Sequence, residues 1–116
     1  MLYTAQYRYT GPDRLDITVK GEHPVGKVFA PTWHMVNSVK NGGSEKNYTE
    51  MYYTLMTQRW QLYCEVWDML VQMCQYQDVT VVCFCPSGAF CHRHILVDIL
   101  KQYNSNIRYG GERVVL

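Results

Sequence analysis

The chain has 116 residues, 47% of them hydrophobic and 18% charged, with a formal net charge of +1. That is the composition of one globular domain over residues 1–116, and the near-neutral balance with no Lys/Arg stripe excludes a binder of extended nucleic acid. No run reaches the ~18–20 apolar residues of a membrane span, and the opening MLYTAQYRYT lacks the basic-then-apolar order of an export signal.

From the N-terminus, Leu2–Tyr9 alternates weakly and is rich in Tyr and Thr, which predicts a strand. Gly11-Pro12-Asp13 predicts a turn, and Leu15–Val19 a second short strand. Lys20 to Ala30 has no regular period and reads as a loop. Pro31-Thr32 then opens a helix, with Thr32 as N-cap and Trp33, Val36 and Val39 at helical spacing, closed by Asn41-Gly42-Gly43. Ser44 caps the next helix, which carries Tyr48, Met51, Tyr52, Leu55 and Met56. The pattern resumes through Trp60, Tyr63, Cys64, Trp67, Leu70, Val71 and Cys74, with a break or a bend at Thr57–Gln61. Val79–Phe84 is an uninterrupted apolar run and predicts a strand covered on both faces. Ile95, Leu96, Ile99, Leu100 and Tyr103 follow at helical spacing. Ile107–Tyr109 and Arg113–Leu116 read as short strands around a Gly110-Gly111 turn. The order implies an α/β fold: a single Rossmann-like domain with a mainly parallel sheet, helices packed on it and right-handed crossovers.

Chemistry concentrates in one place. Three of the five cysteines, two of the four histidines and one arginine fall between Cys83 and His94, where the strand ends and the last helix begins. In open α/β sheets ligands bind outside the carboxyl ends of strands. The helix start should expose the amides of Cys91–His94 and the positive end of the helix dipole, which together attract an anion. Arg93 adds a permanently charged fork, and Ser87 and Gly88 add a hydroxyl and close backbone approach. Spacing puts Cys91 and His92 on or near the buried face and leaves His94 more exposed. Asp16 is the acid that a structural Arg93 would clamp. Cys83 and Cys85 read as core thiols on one side of the strand, and Cys64 and Cys74 as small packing residues. Five cysteines without an export signal point to thiols in a reducing, cytoplasmic compartment rather than a disulfide framework.

The segment VVCFCPSGAFCHRHILVDIL resembles the C-terminal signature of the domain of unknown function 488 family: an apolar strand ending in Cys, an aromatic and usually an acid, a short loop, Cys-His-Arg and an apolar helix. FAPTWHMVNSVKNGGSEKNYTEMYYTLM resembles the family's other recurrent segment, Ala-Pro-Ser/Thr-Trp followed by a Lys-Gly turn and a Tyr-rich helix. The resemblance implies an α/β fold. It marks Cys83, Phe90, Cys91, His92 and Arg93 as signature positions, with Gly88, Pro31 and Trp33 as neighbours in a pocket wall. Cys85 stands where the family commonly has Glu. The family carries no function across.

Three functions compete on the residues. The first is a binding module for a small anionic, nucleotide-like ligand held by Arg93, Cys91, His92, Ser87, Gly88, Asp16 and Trp33, with Tyr7 or Phe84 as further aromatic wall. Such a protein could sequester its ligand, and its size suits a phage protein acting in the host cytoplasm. The second is a cysteine-dependent transferase or hydrolase, with Cys91 as nucleophile beside His92. The phosphatase spacing of Cys, five residues and Arg is not met. The third is a zinc-binding structural protein, which the ligand spacing disfavours, so no metal and no cofactor is expected. A homodimer is compatible with the sequence, and a membrane is not among the expected partners.

Overall fold

The computed structural model describes residues 1–85 and 90–115. Four strands, β1 (Leu2–Gln6), β2 (Arg14–Asp16), β3 (Val79–Cys83) and β4 (Tyr109–Arg113), form one parallel sheet in the order β2-β3-β1-β4. Three α-helices accompany it: α1 (Trp33–Lys40), α2 (Glu45–Tyr76) and α3 (His92–Tyr103). The sheet is wholly parallel, as expected of strands joined through helices. β3 lies inside it, between β1 in register Leu2↔Val79 and β2 in register Leu15↔Val81. All five of its residues are buried, which explains a run that is apolar but for Thr80. No helix among the described residues is long and apolar enough to cross a membrane.

The two faces of the sheet are buried differently. Leu2, Leu15, Val79 and Val81 join the main apolar cluster, with Met56, Trp67, Leu70, Leu96 and Leu100 from the helices. On the opposite face the Thr80 hydroxyl donates to the Asp13 carboxylate at 2.6 Å and accepts from Arg113 Nε at 2.9 Å. The Arg113 guanidinium lies 3.8 Å from the Tyr3 ring centroid. This face is therefore covered by a polar and aromatic layer.

The helices begin where their caps dictate. Thr32 accepts from the Met35 amide and Ser44 from the Asn47 amide, each satisfying an orphan donor of a first turn. α2 runs 32 residues, and its bend sits at Tyr63 (φ −135°, ψ 36°), just beyond the Thr57–Gln61 stretch. Tyr48, Tyr52 and Met56 pack from its first half, and Trp67, Leu70, Val71 and Cys74 from its second. Cys64 follows the bend and is exposed, so only Cys74 of that pair is a packing thiol.

Three further expectations are corrected. The loop after β2 contains a 3-10 turn, Gly26–Phe29, and contributes Val25, Val28 and Phe29 to the core. Phe29 packs on Trp67 with ring centroids 5.2 Å apart, and its carbonyl accepts from the buried Tyr52 hydroxyl at 2.7 Å. Gly110 and Gly111 lie inside β4 rather than in a turn. A register shift between Leu2 and Tyr3 absorbs the positive φ of Gly111, +106°, a bulge arrangement that glycine permits. In α1 the residue facing the core is Met35, while Trp33 is 50% and Val39 40% exposed.

Candidate functional site

β3 delivers Cys83 to the sheet's carboxyl end, buried to 1% exposure, with Phe84 exposed and Cys85 half-buried beyond it. The chain returns at Phe90, and Cys91 is the N-cap position of α3, in extended conformation (φ −157°, ψ 152°). The strand end and the helix start therefore meet. Cys83, Cys85 and Cys91 bring their sulfurs within 4.8 Å of one another, a convergence that sequence spacing argued against. The sulfurs of Cys83 and Cys91 are joined as a disulfide, against the expectation of thiols alone. Cys64, Cys74 and Cys85 are free cysteines. Burial raises the Cys85 thiol above its usual range, opposed by the charge of Arg93.

His92 is buried against the sheet. Its Nε2 lies 2.8 Å from the Ile17 carbonyl oxygen, which can only accept, so Nε2 carries the proton and Nδ1 is a lone pair. Nδ1 faces Cys91 Sγ at 3.6 Å. Burial lowers the imidazole to about 4, partly offset by the Ile17 carbonyl. His92 is therefore neutral at pH 7 and a weak base. The Tyr52 ring lies 5.6 Å away, centroid to centroid.

Arg93 has no exposed surface. Its Nε donates to Glu112 Oε1 at 3.1 Å and its NH2 to Oε2 at 2.7 Å, the forked geometry that favours arginine over lysine. NH1 donates to Cys83 Sγ at 2.9 Å and to the Cys85 carbonyl at 3.1 Å. Arg93 thus ties β3, α3 and β4 together. Its acidic partner is Glu112, not Asp16, whose carboxylate instead accepts from the Thr18 amide at 2.8 Å. Burial alone would raise the Glu112 carboxyl, but hydrogen bonds from Arg93, Thr4 and His94, with the Arg93 charge, hold it at about 2. His94 is 37% exposed and contacts Glu112 Oε1 at 3.2 Å.

Beside this junction opens a cavity of about 430 Å³. Trp33, Val36 and Val39 of α1 line one side, and Tyr48, Phe84 and Phe90 add aromatic surface. The unburied face of α1 is thus a cavity wall. Cys83, Cys91 and His92, all buried, lie at its deep end, and Lys20 and Lys40 supply positive charge. Lys20 Nζ stands 5.9 Å from the Trp33 ring centroid.

Of the expected ligand-binding residues, the cavity gathers Trp33, Cys91 and His92, and Pro31 also lines it. Arg93 is turned to Glu112, and Asp16 to its own turn. Ser87 and Gly88 lie outside the described residues. Tyr7 packs on Phe84 at 4.6 Å between centroids. Sequence reasoning missed Lys20, Lys40, Tyr48 and Glu112. The signal for Glu112 was indirect: a buried arginine requires a counter-charge.

The model for the active DUF488-N3 subclade, DUF488-N3a, matches residues 19–104. The chain belongs to the DUF488 family. The match takes in α1, α2, β3 and α3, with Lys20, Lys40 and Cys91-His92-Arg93. It ends before β4 and Glu112, so Arg93 is a family-region residue whose partner lies outside the matched segment. No curated protein and no solved structure matches the chain.

Proposed function

We propose that this DUF488 protein binds a small anionic, nucleotide-like molecule in the cavity between α1, β3 and α3. The observation that carries the reading is the cavity's lining: aromatic surface from Trp33, Tyr48, Phe84 and Phe90, with Lys20 and Lys40 beside it. Pockets for small molecules combine a mostly apolar wall with a few convergent polar groups. Aromatic rings accept a stacked base, and lysine ammoniums are point-charge partners for phosphate. Arg93 contributes by fixing the strand–helix junction, and the lysines carry the charge recognition. His92, neutral and weakly basic, presents a hydrogen-bonding edge at the deep end. Function as a ligand-capturing protein follows, in the simplest case by sequestration.

A second reading, a cysteine-dependent transferase or hydrolase, has the Cys91 Sγ–His92 Nδ1 contact of 3.6 Å in its favour. The description of the matched subclade as active points the same way. Against it stand the weak basicity of His92 and the engagement of Cys91 with Cys83.

The test is calorimetric titration of the reduced protein with nucleoside mono- and diphosphates. Saturable one-to-one binding is expected, weakened roughly threefold to tenfold in Lys40→Ala, the effect of a partly exposed charge contact of ~1 kcal/mol. Absence of saturation with every nucleotide, or affinity indifferent to both Lys20→Ala and Lys40→Ala, overturns the reading. Cys91→Ser separates the two readings: binding survives in a capturing protein, and any turnover that vanishes in this variant establishes the enzyme.

A further inference from the structure

We propose that the reduced protein holds one zinc ion between the thiolates of Cys83, Cys85 and Cys91, with water in the fourth position. The inference goes beyond the ligand reading and does not depend on it.

Three observations converge. Three cysteine sulfurs lie within 4.8 Å of one another at the junction of β3 and α3, and zinc–sulfur bonds of ~2.3 Å in a tetrahedron place such sulfurs ~3.8 Å apart. The α-carbons of Cys83 and Cys91 stand 7.5 Å apart, beyond the ~4.4–6.8 Å that disulfides usually span. An ion shared by two thiolates bridges the wider gap. Finally, Arg93 NH1 donates to Cys83 Sγ at 2.9 Å. Three thiolates and one zinc ion carry a net charge of −1, beside a guanidinium that they share with Glu112.

The chemistry is a ligand exchange preceded by reduction. A phosphine reductant supplies two electrons to the Cys83–Cys91 bond and becomes its oxide, taking oxygen from a water molecule whose two protons go to the two thiols. The zinc ion then displaces the three thiol protons to solvent as it binds, so affinity falls with decreasing pH. Zinc is the soft-to-borderline ion that suits a three-thiolate donor set.

The experiment uses the full chain, purified under a phosphine reductant without air and stripped with a chelator. Zinc is titrated against a chromophoric chelator, and cobalt(II) serves as the spectroscopic probe. One zinc per chain is expected, and the cobalt form should show sulfur-to-metal charge transfer with the intense visible bands of a tetrahedral site. Cys85 is half-buried and outside the strand, so Cys85→Ser should fold normally and bind zinc more weakly by on the order of 100-fold. Failure of the reduced wild type to bind a stoichiometric ion overturns the proposal. So does stoichiometric binding whose affinity and spectrum are unchanged in Cys85→Ser, because the ion then sits elsewhere.

Discussion

Replacing Glu112 by Gln should destabilise the protein by about 3–5 kcal/mol, the scale of breaking a buried ion pair by removing one charge. Glutamine keeps the shape and one acceptor oxygen, but it removes the carboxylate charge that the fully buried Arg93 guanidinium holds in a fork. The pH dependence gives an independent magnitude. Folding lowers the Glu112 carboxyl from 4.5 to about 2, which at ~1.4 kcal/mol per unit sets an upper bound of about 3 kcal/mol, reduced by solvent screening at this partly exposed carboxylate. Its sign follows from the direction. The folded value is the lower one, so the contribution is complete above about 4.5 and is lost as pH falls through about 2. Urea unfolding followed by circular dichroism measures both quantities. At neutral pH the variant should lose about 3–5 kcal/mol, and the gap to wild type should narrow as both are titrated into acid. A loss under ~1 kcal/mol, the scale of an exposed ion pair, would refute the reasoning. So would a gap that stays constant through the acid range.

Two other perturbations test the packing that positions the site. Gly26→Ala would place a Cβ 2.0 Å from the Asp16 carbonyl oxygen, and should lower stability by ~1–3 kcal/mol through overpacking against backbone, read as a reduced melting temperature. Val81→Asp sets a carboxylate at a fully buried position of β3; loss of amide dispersion in the NMR spectrum is expected.

The fold was legible where one local signal dominated. β3 announced itself by an apolar run that only an inner strand tolerates, and α1 and α2 by capping residues whose side chains now accept from Met35 and Asn47. Legibility failed where tertiary contacts override local chemistry. Gly110-Gly111 reads as a turn, yet the pair lies within a strand because β1 supplies the ladder. The segment holding Phe29 has no period, and becomes core because Trp67 and Tyr52 receive it.

The site divides in the same way. Cys91 and His92 were visible as a cluster at a strand–helix junction, and the exposure of His94 followed from spacing. Spacing could not show that Trp33 faces a cavity, since its helical pattern equally suits a core face. Nor could it bring Lys20 and Lys40 to that cavity, because their approach depends on how the β2 loop and α1 fold over β3. The partner of Arg93 lay nineteen positions away in β4, too far for any local pattern to indicate.

The central claim is that the cavity beside Cys91 is a ligand site, and amide and indole NMR spectra of the reduced chain titrated with a nucleoside monophosphate test it most directly. Three indole signals report three environments: Trp33 in the cavity wall, Trp60 on the surface and Trp67 in the core. The account predicts a saturable shift of the Trp33 indole together with the amides of Lys20, Val36 and Phe90, while Trp60 and Trp67 stay still. A Trp33 indole that does not move at saturating nucleotide, or shifts confined to residues outside the cavity, would contradict it.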